Sequence, residues 1–353
     1  MAESLGVAHD AHVVVATDRF DDDFARLTGE LGFRVDVIFP ADAPHTAVVS
    51  GHGVRLRLES SDTPSPITVR LLTDKPGPPI ELPGGSCIEC HDAAVPFLLP
   101  ENDPALVVSH DDAEVGVGRA GMRYRDLIPG RWGGRFIASL ISIPDGGPVP
   151  DYVHFHKIRF QLIFVKSGWV RVAYEGQGEP LLLRAGDCVT QPPEIRHRVL
   201  EASPGLEVVE VGCPAEHETI ADWSYPLPDE PGDPLREWDG QRFVHHVAAG
   251  AAYSPWRADG WEHRDTGIAE GTDGLAGVRV ARPTSAAETS GWISHDTEFC
   301  LLVTLSGAVS FEAEGRPSVL LDDGGSVAVP GDMPYRLSHP TADCQLLDVT
   351  LPA

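Results

Sequence analysis

His154 and His156 stand two residues apart in the run V-H-F-H-K-I-R-F-Q. On a strand, that spacing sends both imidazoles to one face. Gln161 follows five residues after His156, beyond a break in the alternation that allows a short turn. His197 ends a second run, G-D-C-V-T-Q-P-P-E-I-R-H, and falls on another strand. Three imidazoles and one amide oxygen converging inside a barrel make a divalent-metal site with room for an exchangeable ligand. All four donors are neutral, so such a centre keeps most of its positive charge. It would attract anionic oxygen chelators: enolates, catecholates, α-keto acids or uronates. Arg159, Arg196 and Arg198 flank the donors. Arg196 and Arg198 are odd steps from His197 and should face away from it, so Arg159 is the arginine expected to bind a substrate carboxylate. Tyr152, two residues before His154, shares its inward face and is the expected acid or hydrogen-bond donor.

These residues resemble the two signature motifs of the cupin superfamily. The first motif is a glycine, His-x-His, usually a Glu, and a glycine; Gly147, His154, His156, Gln161 and Gly168 fit it. The second is Gly-Asp, a proline and a His; Gly186, Asp187, Pro192 and His197 fit it. The departure is Gln161, where Glu is usual. The resemblance implies a mainly β fold of the double-stranded β-helix (jelly-roll) type. It also implies a divalent metal, with Fe(II) favoured and Zn, Ni or Mn as alternatives.

The second half of the chain repeats the first. Arg125-Asp126 lies 30 residues before His156, and Arg264-Asp265 lies 30 before His295. Gly168 follows His156 by 12, and Gly307 follows His295 by 12. Such duplication implies two barrels, a bicupin. The boundaries read as 115–222 for the metal-bearing barrel, 223–238 for a stiff linker and 239–353 for a degenerate barrel. In the second copy Ile293, Cys300 and Tyr335 stand where donors would be. His295 alone cannot hold a divalent metal well, and Glu298 is the one residue that would have to shift to help it.

Residues 10–75 read as strand, helix and three strands: 12–16, 20–32, 33–39, 46–50 and 54–59. This βαβββ order resembles one module of the vicinal oxygen chelate (glyoxalase-like) superfamily. In that family a His early in the first strand and a Glu ending the last can bind metal, and His12 and Glu59 occupy those places. One module supplies half a site, so packing or dimerisation is the expected role. Residues 76–114 are rich in proline and glycine and read as a linker. They hold C-I-E-C-H at 87–91, which matches a c-type haem attachment motif or half a zinc site, though free thiols are the expectation.

The chain has 353 residues, 42% hydrophobic, with 36 glycines and 31 prolines, a composition suited to short strands joined by turns. A net charge of −26 without a basic patch excludes a nucleic-acid partner. Six scattered cysteines do not form a disulfide framework. The first ten residues lack a signal peptide's basic and apolar regions, and no apolar run reaches a membrane span. The expectation is a cytoplasmic protein that takes a small-molecule substrate, with a homodimer allowed. Three function classes stay open. The favoured one is a metal-dependent dioxygenase, because bicupins are common among cupin dioxygenases. The others are a Lewis-acid isomerase, lyase or cyclase, which Gln161 favours, and a non-catalytic ligand-binding bicupin.

Overall fold

The computed structural model describes residues 10–93, 97–110, 115–285 and 289–352. The fold is mainly β, and the chain divides into two compact units between Phe97 and Leu98. Among the described residues, no helix is long and apolar enough to cross a membrane.

In the first unit the order is strand Val13–Thr17, helix Phe20–Gly29, then strands Arg34–Phe39, Thr46–Gly51 and Val54–Ser60. The sheet runs Val13–Thr17, Val54–Ser60, Thr46–Gly51, Arg34–Phe39, with the first pair parallel. The helix buries Phe20, Asp23 and Leu27, one helical face. Buried Asp23 is satisfied: it accepts from Thr17 Oγ1 at 2.6 Å and from the Gly84 amide at 2.9 Å. Glu59 pairs with Arg57 at 2.5 Å and lies opposite Ala16, whereas His12 precedes the other end of that strand. The two do not meet within this unit.

The stretch read as a linker from 76 differs from that expectation. Gly77–Glu81 and Cys87–Asp92 are strands, and with Thr68–Thr73 they make a three-stranded sheet whose centre is Cys87–Asp92. Pro78 and Pro79 are tolerated because their strand is an edge, with an irregular register beside them. Cys87 and Cys90 are free thiols. Three apart on a strand, they leave by opposite faces.

The second unit holds both repeats. The first repeat packs a seven-stranded sheet against a six-stranded one, and the second packs a seven-stranded sheet against a three-stranded one. Strand Phe160–Ser167 shows how the layers meet. Phe160, Leu162 and Phe164 join a core shared with Phe299, Leu301 and Val303 of the second repeat. Gln161 and Ile163, on the other face, line a cavity in the first repeat. Both faces are covered, which is why the run reads almost continuously apolar. Phe136 and Phe299 stack across this shared core, ring centroids 4.2 Å apart.

Each repeat also lends the other a strand. Val107–Ser109, ahead of the first repeat, pairs with Ser326–Ala328 of the second. His245–His246, ahead of the second, pairs with Cys188–Thr190 of the first. Two exposed sheet edges are thereby covered. Residues 223–238, read as a linker, pack on the first repeat: Asp229 accepts from the Gly176 amide at 2.9 Å, and Arg236 pairs with Glu175 at 2.7 Å.

Candidate metal centre

His154–His156 is a short strand, and His154 lies directly opposite His197 across an antiparallel pair. The rings of His154 and His197 are 4.2 Å apart, and His156 is 5.2 Å from each. One nitrogen from each of the three imidazoles lies within 4.8 Å of the other two. Among the described residues, no other group of three or more His, Cys, Asp or Glu side chains converges this way.

Each ring is held at Nδ1. His154 Nδ1 donates to the Tyr152 carbonyl at 2.8 Å, and His197 Nδ1 donates to the Ile195 carbonyl at 3.0 Å. A carbonyl only accepts, so the proton sits on Nδ1 and Nε2 presents its lone pair. His156 Nδ1 shares a hydrogen bond with Thr219 Oγ1 at 2.9 Å. His154 Nε2 is buried and has no hydrogen-bond partner. Burial also keeps the rings neutral. It pushes His156 down to about 2, with His154, His217 and Arg119 adding to the effect. It likewise lowers His154 and His197. Neutral imidazole is the form that binds a metal.

Gln161 lines the same cavity as His156 and His197. Its Nε2 donates to Glu210 Oε1 at 2.6 Å, which fixes the amide and leaves Oε1 buried without a partner. Two orphaned buried acceptors beside convergent imidazoles are costly unless a cation joins them. The residues present therefore fit a divalent metal.

His156, Gln161 and His197 open into a cavity of about 270 Å³. Its walls are largely apolar, with Ile141, Val170, Val172 and Leu206 among them, and its polar groups include Arg119, Tyr124, Glu210 and His217. Glu210 alters the charge expected from the sequence: the four donors are neutral, but a carboxylate lies beside them. The alternation Leu206, Val208, Glu210 on one strand carries the signal, since all three line the cavity.

Two expected site residues stand elsewhere. Arg159 is not among the cavity-lining residues; its guanidinium pairs with Glu298 Oε2 at 3.3 Å, and its carbonyl accepts from Gln241 at 2.7 Å. Glu298 also pairs with Arg135 at 2.5 Å, so its charge is already matched. The Tyr152 ring sits behind the histidines, 5.8 Å from His154 and 5.1 Å from Trp223, and does not line the cavity. Its contribution is the backbone carbonyl that orients His154. Arg196 faces away, as its register requires, pairing with Asp222 at 2.7 Å.

In the second repeat the corresponding positions are filled by an ion pair. Arg257 reaches Asp348 through two nitrogens at 2.5 and 2.8 Å, Tyr335 Oη at 3.0 Å and Cys300 Sγ at 3.5 Å. His295 has both ring nitrogens bonded, to Thr297 Oγ1 at 2.8 Å and to the Val329 carbonyl at 3.0 Å.

No family model matches the chain, and no curated protein matches it. Solved structures do. The chain is similar to the E. coli protein Ylba at 10% identity and TM-score 0.50, covering 72% of this chain and 93% of that one. It is similar to a salicylate 1,2-dioxygenase variant from Pseudoaminobacter salicylatoxidans in complex with gentisate, at 16% identity and TM-score 0.50, covering 72% and 83%. It is also similar to the 7S globulin of Momordica charantia at 13% identity and TM-score 0.50, covering 70% and 84%.

Proposed function

We propose that this cupin-type, two-barrel protein is a metal-dependent enzyme acting on a small, anionic, oxygen-chelating substrate. The fold alone does not decide this, since a dioxygenase and a 7S globulin share it. What carries the reading is the set of buried histidines whose Nδ1 atoms are all engaged, at a largely apolar cavity beside an amide oxygen that has no partner. His154, His156 and His197 would hold the metal, with Gln161 Oε1 as a further neutral donor. When bound, the metal would supply a Lewis acid and, if iron, a site for O₂. The chain's own part is to orient and exclude. The carbonyls of Tyr152 and Ile195 fix two rings, Glu210 fixes the Gln161 amide, and the apolar walls keep bulk water from the substrate.

The favoured chemistry is that of a non-haem Fe(II) dioxygenase. One observation favours the non-redox alternative of an isomerase, lyase or cyclase: Glu210 places a carboxylate in the cavity, where it is able to accept a substrate proton. Metal analysis of protein purified without oxygen separates the two. Bound iron with O₂ uptake on adding catecholate or α-keto acid substrates supports the first. Zinc or nickel with no O₂ uptake supports the second. Protein that takes up no metal under either condition returns the chain to the non-catalytic class.

A further inference from the structure

The two repeats carry the same pair of charges and use them differently. By strand register, Glu210 lies opposite Ile163 and Asp348 lies opposite Leu302, equivalent places in the two repeats. Arg119 precedes Arg125 much as Arg257 precedes Arg264. In the second repeat the arginine has collapsed onto its acid: Arg257 grips Asp348 and contacts Cys300 and Tyr335, the counterparts of Gln161 and His197. A guanidinium there occupies the ground a metal would need. In the first repeat Arg119 lines the same cavity as Glu210, yet it pairs with Asp151 instead.

The difference traces to one position. Asp151 Oδ2 accepts from the Val199 amide at 3.0 Å, and Val199 lies opposite Val172. In the second repeat the equivalent amide, Leu337, lies opposite Phe311 and donates to Ser290 Oγ at 2.9 Å. Ser290 does the same backbone duty but has no charge with which to hold an arginine. Asp151 is buried, and its other carboxylate oxygen is the one that takes Arg119.

We infer that Asp151 is a positioning residue that keeps the metal centre open by holding Arg119 away from Glu210. Without it, Arg119 would turn to Glu210 and place its charge beside His154, His156 and His197, as Arg257 does in the other repeat. This rests on the metal reading above. It assigns the loss of a metal site in the second repeat to an arginine that lost its tether, as well as to the lost histidines.

The test is Co(II) titration of the metal-free full-length chain, followed by visible absorption. Asp151→Ser, which copies the second repeat, should bind Co(II) roughly 10–100-fold more weakly than the parent. Asp151→Asn keeps an acceptor for the Val199 amide and should shift in the same direction, so the result does not depend on the serine variant folding. The decisive form is Asp151→Ser with Arg119→Met. Removing the arginine should restore affinity to within a few-fold of the parent. A merely structural role for Asp151, or a direct one through His154, whose Nδ1 is 3.8 Å from Asp151 Oδ1, would leave the double variant as weak as the single. That result overturns the inference, as does unchanged affinity in both single variants. Failure of the parent chain to bind Co(II) would instead remove the metal reading itself.

Discussion

Arg264 of the second repeat donates to the carbonyl oxygen of Gly186 in the first, at 3.1 Å. The relation is reciprocal. Arg125, its counterpart, donates to the Gly324 carbonyl in the second repeat at 2.8 Å. Both arginines are buried. Gly186 is needed for the approach: a Cβ there would sit 3.0 Å from the Arg264 guanidinium, and its φ of +92° suits glycine alone. Replacing Arg264 by Met should cost about 2–4 kcal/mol, because a charged hydrogen bond is lost and a buried carbonyl is left unmet. Urea unfolding of the variant checks this; a cost under about 0.5 kcal/mol, the usual surface range, would show the contact to be incidental.

His154→Ala should abolish metal retention while the far-ultraviolet circular dichroism stays that of a β protein. His295→Ala should leave metal content unchanged, because that ring is bonded at both nitrogens. The expected stoichiometry is about one metal per chain, the number allowed by the one such cluster among the described residues. Elemental analysis decides. Two metals per chain would mean that the second repeat binds after all, or that His12 and Glu59 complete a site between chains.

Glu210→Ala should weaken metal binding by roughly 10–100-fold without removing any histidine. The amide of Gln161 loses the acceptor that fixes its orientation, and its oxygen no longer faces one way. Gln161→Ala should then add little on top of Glu210→Ala. If the two losses add in full, they act independently and the amide is not oriented by Glu210.

The pH dependence of the metal-free protein follows from the buried rings. The folded value of His156 is about 2, below the ordinary 6.5, and those of His154 and His197 are also lowered. As pH falls below about 6.5 the unfolded chain takes up protons that the folded chain refuses. Stability is therefore full above that value and declines toward acid, by about 1.4 kcal/mol per pH unit for His156, with His154 and His197 acting in the same direction. Urea midpoints between pH 7.5 and 5 test this. His156→Phe should flatten the slope, and a parent whose midpoint does not move would contradict the burial of these rings.

Much of the centre was legible because its residues obey the period-two rule. His154 and His156 could be placed on one face from spacing alone, His197 joined them through the resemblance to the second motif, and the repeat was visible in paired Arg-Asp and glycine positions. What escaped the reading was non-local. Glu210 meets Gln161 across 49 residues, and Arg119 meets Asp151 across 32. Arg159 looked available because its neighbours in sequence are candidate ligands. Its real partner, Glu298, is 139 residues away in the other repeat. The sheet at Gly77–Glu81 escaped for a local reason: two prolines in five residues argue against a strand unless it is an edge.

The exchanged strands impose an order on the birth of the molecule. As the chain leaves the ribosome, the repeat with the histidine cluster emerges before the other, but the strand that closes its sheet, His245–His246, belongs to sequence made later. The arm Val107–Ser109 emerges before either repeat and waits until Ser326–Ala328 has been made. Phe160, Leu162 and Phe164 meanwhile lack the residues that cover them. Neither half is finished before nearly the whole chain exists, so the nascent protein carries open edges and an uncovered aromatic face through most of its synthesis. In a chain of this design the two repeats can be completed only together, late in synthesis.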